Sequence, residues 1–206
     1  MDKVAKIKSR FLYGLLDQNT YVLSNGKEAV IIDAGAEIDD IKKIVGNAKV
    51  VGILMTHLHF DHFWNIDKYL DEFDADAYIC SGAESKFSNP KENASFIVRQ
   101  EIQKNIDKNR IKYYAKKLRL GDFNFDIIET PGHSTDSVCI LYDDKLFVGD
   151  LIIGDSIGRT DLPGGDNEKI IESLKKIKSL DYTTLYSGHG EILSKNQVDK
   201  TISFYL

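Results

Sequence analysis

The sequence predicts an α/β fold built as one unit over residues 1–206, on three observations. Short apolar strand patterns alternate with amphipathic helical ones along the chain. With 206 residues, 42% of them hydrophobic, a substantial core can be buried without disulfides or other staples. No internal repeat of roughly 20 to 50 residues suggests a solenoid or propeller.

The elements follow in order. "KVAKIKSRF" and "NTYVLSNGKEAVIID" read as β structure, the second as a hairpin whose Asn25-Gly26 supplies the positive φ of a tight connection. "EIDDIKKIV" sets Ile38, Ile41 and Val45 on one helical face. "KVVGILMT" is an apolar strand running into "HLHFDH", and "NIDKYLDEF" after it reads as a helix with Ile66, Tyr69, Leu70 and Phe73 inward. "DAYICS" is a strand. "GDFNFDIIETPG" begins with alternation and ends at a Pro-Gly turn, and "SVCILYDDKLFVGD" reads as two strands joined at Asp143-Asp144. "DNEKIIESLKKIKSL" is amphipathic through Ile170, Ile171, Leu174 and Ile177. "TTLYSGHG" is a strand ending in glycines, and "SKNQVDKTISFYL" closes the chain as a helix.

Composition narrows the function classes. A net charge of −5 gives no global basic surface and argues against nucleic acid as a partner. No apolar run approaches the roughly 20 residues a membrane span needs, and "MDKVAKIKSR" lacks the apolar centre of a signal peptide. Cys80 and Cys139 match no metal or redox spacing and read as reduced core residues, so a cytoplasmic protein is expected.

The chemistry concentrates in "THLHFDH", residues 56–62, which holds three of the chain's five histidines. These side chains cannot all point one way on a regular backbone, because strands repeat every two residues and helices every 3.6. The segment therefore serves two neighbouring points. His133 follows the strand ending at Thr130, Asp150 follows "KLFVG", and His189 follows "TTLYS" between two glycines. Like His57, each lies just past a strand end. A lone histidine is usually an ordinary polar residue and an aspartate beside glycine usually a turn former. Five histidines at strand ends by accident is another matter, and their convergence reads as a metal site.

A catalytic zinc takes three protein ligands and keeps one open position, so five histidines and two aspartates exceed one ion's needs. Two ions use all seven: His57 and His59 with His133 on one, Asp61 and His62 with His189 on the other, and Asp150 between them. The expected cofactors are two divalent ions, zinc by preference, with iron or manganese as alternatives.

"THLHFDH", "TPGHSTDS", "FVGD" and "SGHG" resemble, in order and separation, the successive metal motifs of the metallo-β-lactamase-fold hydrolases. The resemblance covers almost the whole chain. It implies a four-layer αββα sandwich of two mixed β-sheets and the same ligand set, His57, His59, Asp61, His62, His133, Asp150 and His189. "GDSIGRTDLPGGD", residues 154–166, resembles the loop of the glyoxalase II-like branch, whose members hydrolyse thioesters. The β-lactamases of the commonest type have cysteine where this chain has Asp150, and the flavodiiron oxygen reductases have glutamate where it has His59. Glyoxalase II enzymes continue into a helical region that grips glutathione, whereas this sequence stops at Leu206 and is most similar to the short, single-domain bacterial type.

The expected reaction is cleavage of a small-molecule acyl-thiol by a metal-bridging hydroxide, with Asp61 and Asp150 as the catalytic carboxylates that hold it. Metal-bound water has a pKa lowered toward about 7, and a thiol leaving group scarcely needs a proton donor. The alternative is a persulfide dioxygenase with a single iron, which the resemblance would place on His57, His133 and Asp150; lactonase or phosphodiesterase activity ranks lower. Arg159, Lys112 and Tyr113 are candidate substrate contacts, Arg159 alternatively bracing its glycine-rich loop. Residues 104–119 carry seven basic side chains against one acid. They form either a patch that steers an anionic thioester or, more simply, a solvated face.

Overall fold

The structure, a computed structural model, describes residues 2–9 and 17–206. Two six-stranded sheets carry the fold. The first comprises β1 (Lys3–Lys8), β2 (Asn19–Ser24), β3 (Glu28–Ile32), β4 (Lys49–Leu54), β5 (Ala77–Ile79) and β6 (Ile111–Tyr113), in that spatial order. Strands β1 to β3 are antiparallel, and β3 to β6 run parallel to one another. The second sheet contains β7 (Lys117–Leu120), β8 (Phe123–Glu129), β9 (Val138–Tyr142), β10 (Lys145–Gly149), β13 (Thr184–Ser187) and β14 (Leu193–Ser194), with order β14-β13-β10-β9-β8-β7. Both sheets are mixed, since β10 and β13 are parallel in an otherwise antiparallel set. A small hairpin, β11 (Ile152–Ile153) with β12 (Ser156–Ile157), lies apart.

Four helices complete the layers: α1 (Ile38–Val45), α2 (Ile66–Phe73), α3 (Asn167–Lys178) and α4 (Lys195–Tyr205). Strand alternation explains how they are placed. In the first sheet Val22, Ile31 and Ile53 pack with Ile41, Ile66 and Tyr69 of α1 and α2. The intervening Leu23, Val30, Ile32 and Leu54 point the other way, onto Phe125, Ile140 and Phe147 of the second sheet. That sheet's remaining face, Cys139, Leu146, Val148 and Leu185, takes Ile170, Leu174 and Ile177 of α3 with Val198 and Ile202 of α4. The result is the αββα sandwich expected.

Local chemistry fixes the element ends. The β2–β3 connection turns at Gly26, φ +88°, while the Asn25 side chain accepts from the amides of Lys27 and Glu28. Asp166 caps α3 by accepting from Glu168 and Lys169, and Ser194 forms a capping box with Gln197 on α4. Asp143, φ +49°, makes the turn between β9 and β10.

The differences from expectation fall at sheet margins. Strands β6 and β7, drawn from the basic stretch, are each an edge strand of their sheet, opposite β1 and β14. Edge strands tolerate lysine and need no apolar alternation, so their pattern does not announce them. The hairpin β11–β12 and strand β14 are two residues per strand, too short for a period. Arg10 and Phe11, which the first strand pattern includes, lie outside the described residues.

Candidate metal centre

Strand direction gathers the site. Antiparallel β9 leaves β8 and β10 pointing the same way, and β13 is parallel to β10, so His133, Asp150 and His189 all follow carboxyl ends on one edge of the second sheet. His57 to His62 follow β4, and Asp33 ends β3, parallel to it. The edge formed by these strand ends is where such folds place ligands.

Three donor groups form there, the ligand atoms of each lying within 4.8 Å of one another: His57 with His59 and His133, Asp61 with His62 and His189, and His57 with His62 and Asp150. The first two are the triplets the spacing assigns, and the third joins them. Asp150 faces both sides. Its Oδ1 lies 3.3 Å from Nε2 of His62, and its Oδ2 lies 3.6 Å from Nε2 of His133 and 3.4 Å from Nε2 of His189. Nε2 of His189 is also 3.1 Å from Oδ2 of Asp61, and Nδ1 of His59 is 2.9 Å from Nε2 of His133.

The outer nitrogens set how each ring presents itself. Nδ1 of His133 donates to the Arg159 carbonyl at 2.8 Å, that of His189 to the Asp17 carbonyl at 2.7 Å, and that of His62 to Asp33 Oδ2 at 2.8 Å. Thr56 Oγ1 donates to Asp33, so it can only accept from Nδ1 of His57, 3.2 Å away. With Nδ1 engaged outward, Nε2 of all four rings turns inward as the ligand atom.

The loop is anchored by amides at alternate positions before it turns at 59–62, where His62 N donates to the His59 carbonyl at 3.0 Å. Thr56 N donates to Asp33 Oδ1, Leu58 N to Asp136 Oδ2, and Phe60 N to the Asn93 carbonyl. Residues 57 and 59 between them point at the centre, and the turn that follows presents Asp61 and His62. Glycine is required where the walls close: a Cβ at Gly188 would come within 2.3 Å of Asp150 Oδ1 and 2.6 Å of the His62 ring.

Buried Nε2 of His57 and of His62 and Oδ1 of Asp150 have no hydrogen-bond partner, although buried polar atoms are almost always paired. Unpaired lone pairs converging from imidazoles and carboxylates fit zinc, iron or manganese, since magnesium and calcium prefer oxygen alone. The protonation pattern is that of a cation site. Burial and the neighbouring His62, His59 and His133 hold His57 well below the ordinary imidazole range, and burial with His133 holds His59 at about 3. Burial pulls His189 down as well, but the Asp150 and Asp61 carboxylates outweigh it and raise the ring to about 9. His62 is raised too, burial being overcome by Asp33, Asp150 and Asp61. Burial would push the Asp150 carboxyl up, yet His189 and His62 hold it far below its usual range. Protons on His62 and His189 thus balance the carboxylates where a cation would.

The expected substrate contacts do not join this cluster. The Arg159 guanidinium is exposed and pairs with Asp161 at 2.7 Å, bracing the loop, while its carbonyl orients His133. Lys112 donates to the Asn109 carbonyl and lies 3.6 Å from Asp76, and the Tyr113 hydroxyl bonds to Glu84, all around edge strand β6. Within the basic stretch Lys104 pairs with Asp67, Lys117 with Asp126, and Arg110 with Asp74 and Asp76. That favours the solvated face over a steering patch. Sequence reading missed Asp33, whose signal is an aspartate closing an apolar strand, held at φ +61° where non-glycine residues are uncommon. It also gave no role to Lys86, which no local pattern marks, or to Asp136, although that residue lies within "TPGHSTDS".

Comparison with known proteins agrees with this geometry. A protein of Streptococcus pyogenes, named a probable metallo-hydrolase, is 31% identical over 183 residues, 84% of this chain and 79% of that one. The Bacillus subtilis protein YqgX, which carries the same description, is 29% identical over 187 residues, 88% of this chain and 89% of that one. Among solved structures, the B3 metallo-β-lactamase BLEG-1 matches with a TM-score of 0.86 at 32% identity, covering 95% of each chain. TTHA1623 in a di-iron-bound form matches at 0.82 and 26% identity, covering 97% of this chain and 99% of that one. Residues 13–189, from the segment before β2 to the last histidine of the cluster, match the sequence family described as the metallo-beta-lactamase superfamily. With that match, the two facing sheets and the histidines gathered at their common edge, the chain belongs to the metallo-β-lactamase superfamily.

Proposed function

We propose that this chain is a dinuclear metal-dependent hydrolase of small acyl-thiols, of the hydroxyacylglutathione hydrolase type. The observation that carries the reading is the pair of three-donor groups joined through Asp150. His57, His59 and His133 would hold one ion, Asp61, His62 and His189 the other, with Asp150 between. Ions held there supply a water that ionises near neutrality and polarise a substrate carbonyl.

The chain's own residues do the positioning. Asp33, Thr56 and the carbonyls of Asp17 and Arg159 lock four rings by their Nδ1 atoms, and the anchored amides of Thr56, Leu58 and Phe60 fix the path of the ligand loop. His189, its side chain 19% exposed, is the most open of the seven groups, so substrate approaches on its side. All five imidazoles belong to the cluster, which leaves no free imidazole there to protonate a departing group. A thiol, with an ordinary pKa near 8.5, leaves as thiolate without that help, whereas an amine or alkoxide does not. Loop 154–166 supports the glyoxalase II-like branch, and it belongs to the centre: a Cβ at Gly158 would fall on the Asp150 carbonyl, and the Arg159 carbonyl holds His133.

A second reading has one specific support. BLEG-1, named a B3 metallo-β-lactamase, is 32% identical to this chain, so β-lactam hydrolysis is a competing activity. The test is parallel assay of protein purified without chelator against S-lactoylglutathione, other acyl-thiols, β-lactams and glutathione persulfide. Thioester hydrolysis is expected, with little β-lactam turnover, because a thiolate departs without a proton donor whereas an amine does not. Faster β-lactam turnover would favour the second reading. Sulfite formation by protein holding one iron would replace both with persulfide oxidation.

A further inference from the structure

Lys86 and Asp136 form an ion pair in the interior, 6% and 5% exposed, with Nζ 2.5 Å from Oδ1. Removing two charges from water is costly and such a pair is weak evidence of net stabilisation, so the reason for it is sought in what it touches. Asp136 Oδ2 accepts from the amide of Leu58, the residue between His57 and His59, at 2.8 Å. Its Oδ1 accepts from Ser134 Oγ at 2.6 Å, and Lys86 Nζ donates to the same hydroxyl at 2.5 Å. Ser134 follows His133 in the chain. The pair therefore holds the Leu58 amide and the Ser134 hydroxyl, which neighbour all three members of one donor group in the chain.

The other group is held by different parts. His62 is oriented by Asp33, His189 by the Asp17 carbonyl, and neither bond involves Lys86 or Asp136. The short 3₁₀ turn Glu84–Phe87 that carries Lys86 is itself tied to the ligand loop. Asn93 donates to the Lys86 carbonyl at 2.9 Å, and the Asn93 carbonyl accepts from Phe60 N at 2.9 Å.

We infer that Lys86 and Asp136 are positioning residues selective for one of the two ion sites, the one made by His57, His59 and His133, through the hydrogen bonds to Leu58 N and Ser134. The inference rests on the dinuclear reading above. It assigns the segment between β5 and β6 a role in metal binding although that segment contributes no ligand.

Zinc titration of the full chain against a chromophoric chelator tests it. The unsubstituted protein is measured first: two equivalents of zinc bound per chain establish the dinuclear reading independently, and one equivalent would refute that reading before any variant is made. The pair is then replaced by K86M/D136A, which removes the bonds without leaving a charge buried alone, in each of two backgrounds. With H189A, which leaves the first site intact, zinc affinity should fall about 10- to 100-fold, the usual effect of removing a group that orients a metal ligand. With H59A, which leaves the second, it should change by less than about threefold. K86Q/D136N, which restores an acceptor for Leu58 N, should recover most of the loss, something a general packing defect would not allow. S134A offers a milder probe should the apolar pair fail to fold, and should weaken the first site alone by severalfold. Unchanged affinity at the first site, equal loss in both backgrounds, or no recovery with K86Q/D136N would each overturn the inference.

Discussion

At the scale of single residues, the centre works by opposing charge. Asp150 and Asp61 raise His62 and His189, with Asp33 adding to the effect on His62, while burial and the neighbouring histidines keep His57 and His59 low. The sign of the resulting pH dependence follows. A histidine whose folded pKa is raised contributes stability that is complete below its ordinary value near 6.5 and is lost as pH climbs through the folded value, about 9 for His189. One whose folded pKa is lowered, as in His59, costs stability below 6.5 and stops doing so above it. The chain stripped of metal should therefore lose thermal stability between pH 6.5 and 9. His189→Gln should flatten that decline, and zinc loading should abolish it because the proton is displaced. Melting curves across that range check this, and a stripped protein equally stable at both ends would contradict it.

At the scale of elements, the basic stretch illustrates what a sequence pattern shows and hides. Its charge is plain, but its structure is not, because β6 and β7 are edge strands whose outer sides face water. Arg110 shows where the charge goes: its Nη2 donates to the carbonyls of Leu70 and Ala75 at 2.9 Å, closing the carboxyl end of α2. Arg110→Ala should cost about 1–2 kcal/mol in urea unfolding, the worth of charge-assisted bonds of this kind. It should leave KM for anionic thioesters unchanged at low and high salt. A raised KM that salt abolishes would return the stretch to a steering role.

Legibility follows the range of each interaction. The alternation in "FNFDIIE" and the helical faces of α1, α2 and α3 are local periodicities, and the structure keeps each one. The cluster was legible for another reason, since strand ends bring histidines together once the sheets face each other. Asp33, Asp136 and Lys86 act across 23 to 78 residues of separation, on backbone amides and a hydroxyl, and the partner in such a bond cannot be read from either segment alone.

At the scale of the whole molecule, two sheets from the two halves of the chain meet at one edge, and neither half holds a complete site. The first supplies His57, His59, Asp61 and His62, and the second His133, Asp150 and His189. Among the described residues no helix is long and apolar enough to cross a membrane. The central claim is that these seven side chains hold two ions with Asp150 between them. Anomalous diffraction at the zinc edge from crystals of the zinc-loaded chain tests it most directly. The account predicts two peaks, one against His57, His59 and His133, the other against Asp61, His62 and His189, both in contact with Asp150. A single peak against His57, His133 and Asp150 would contradict it.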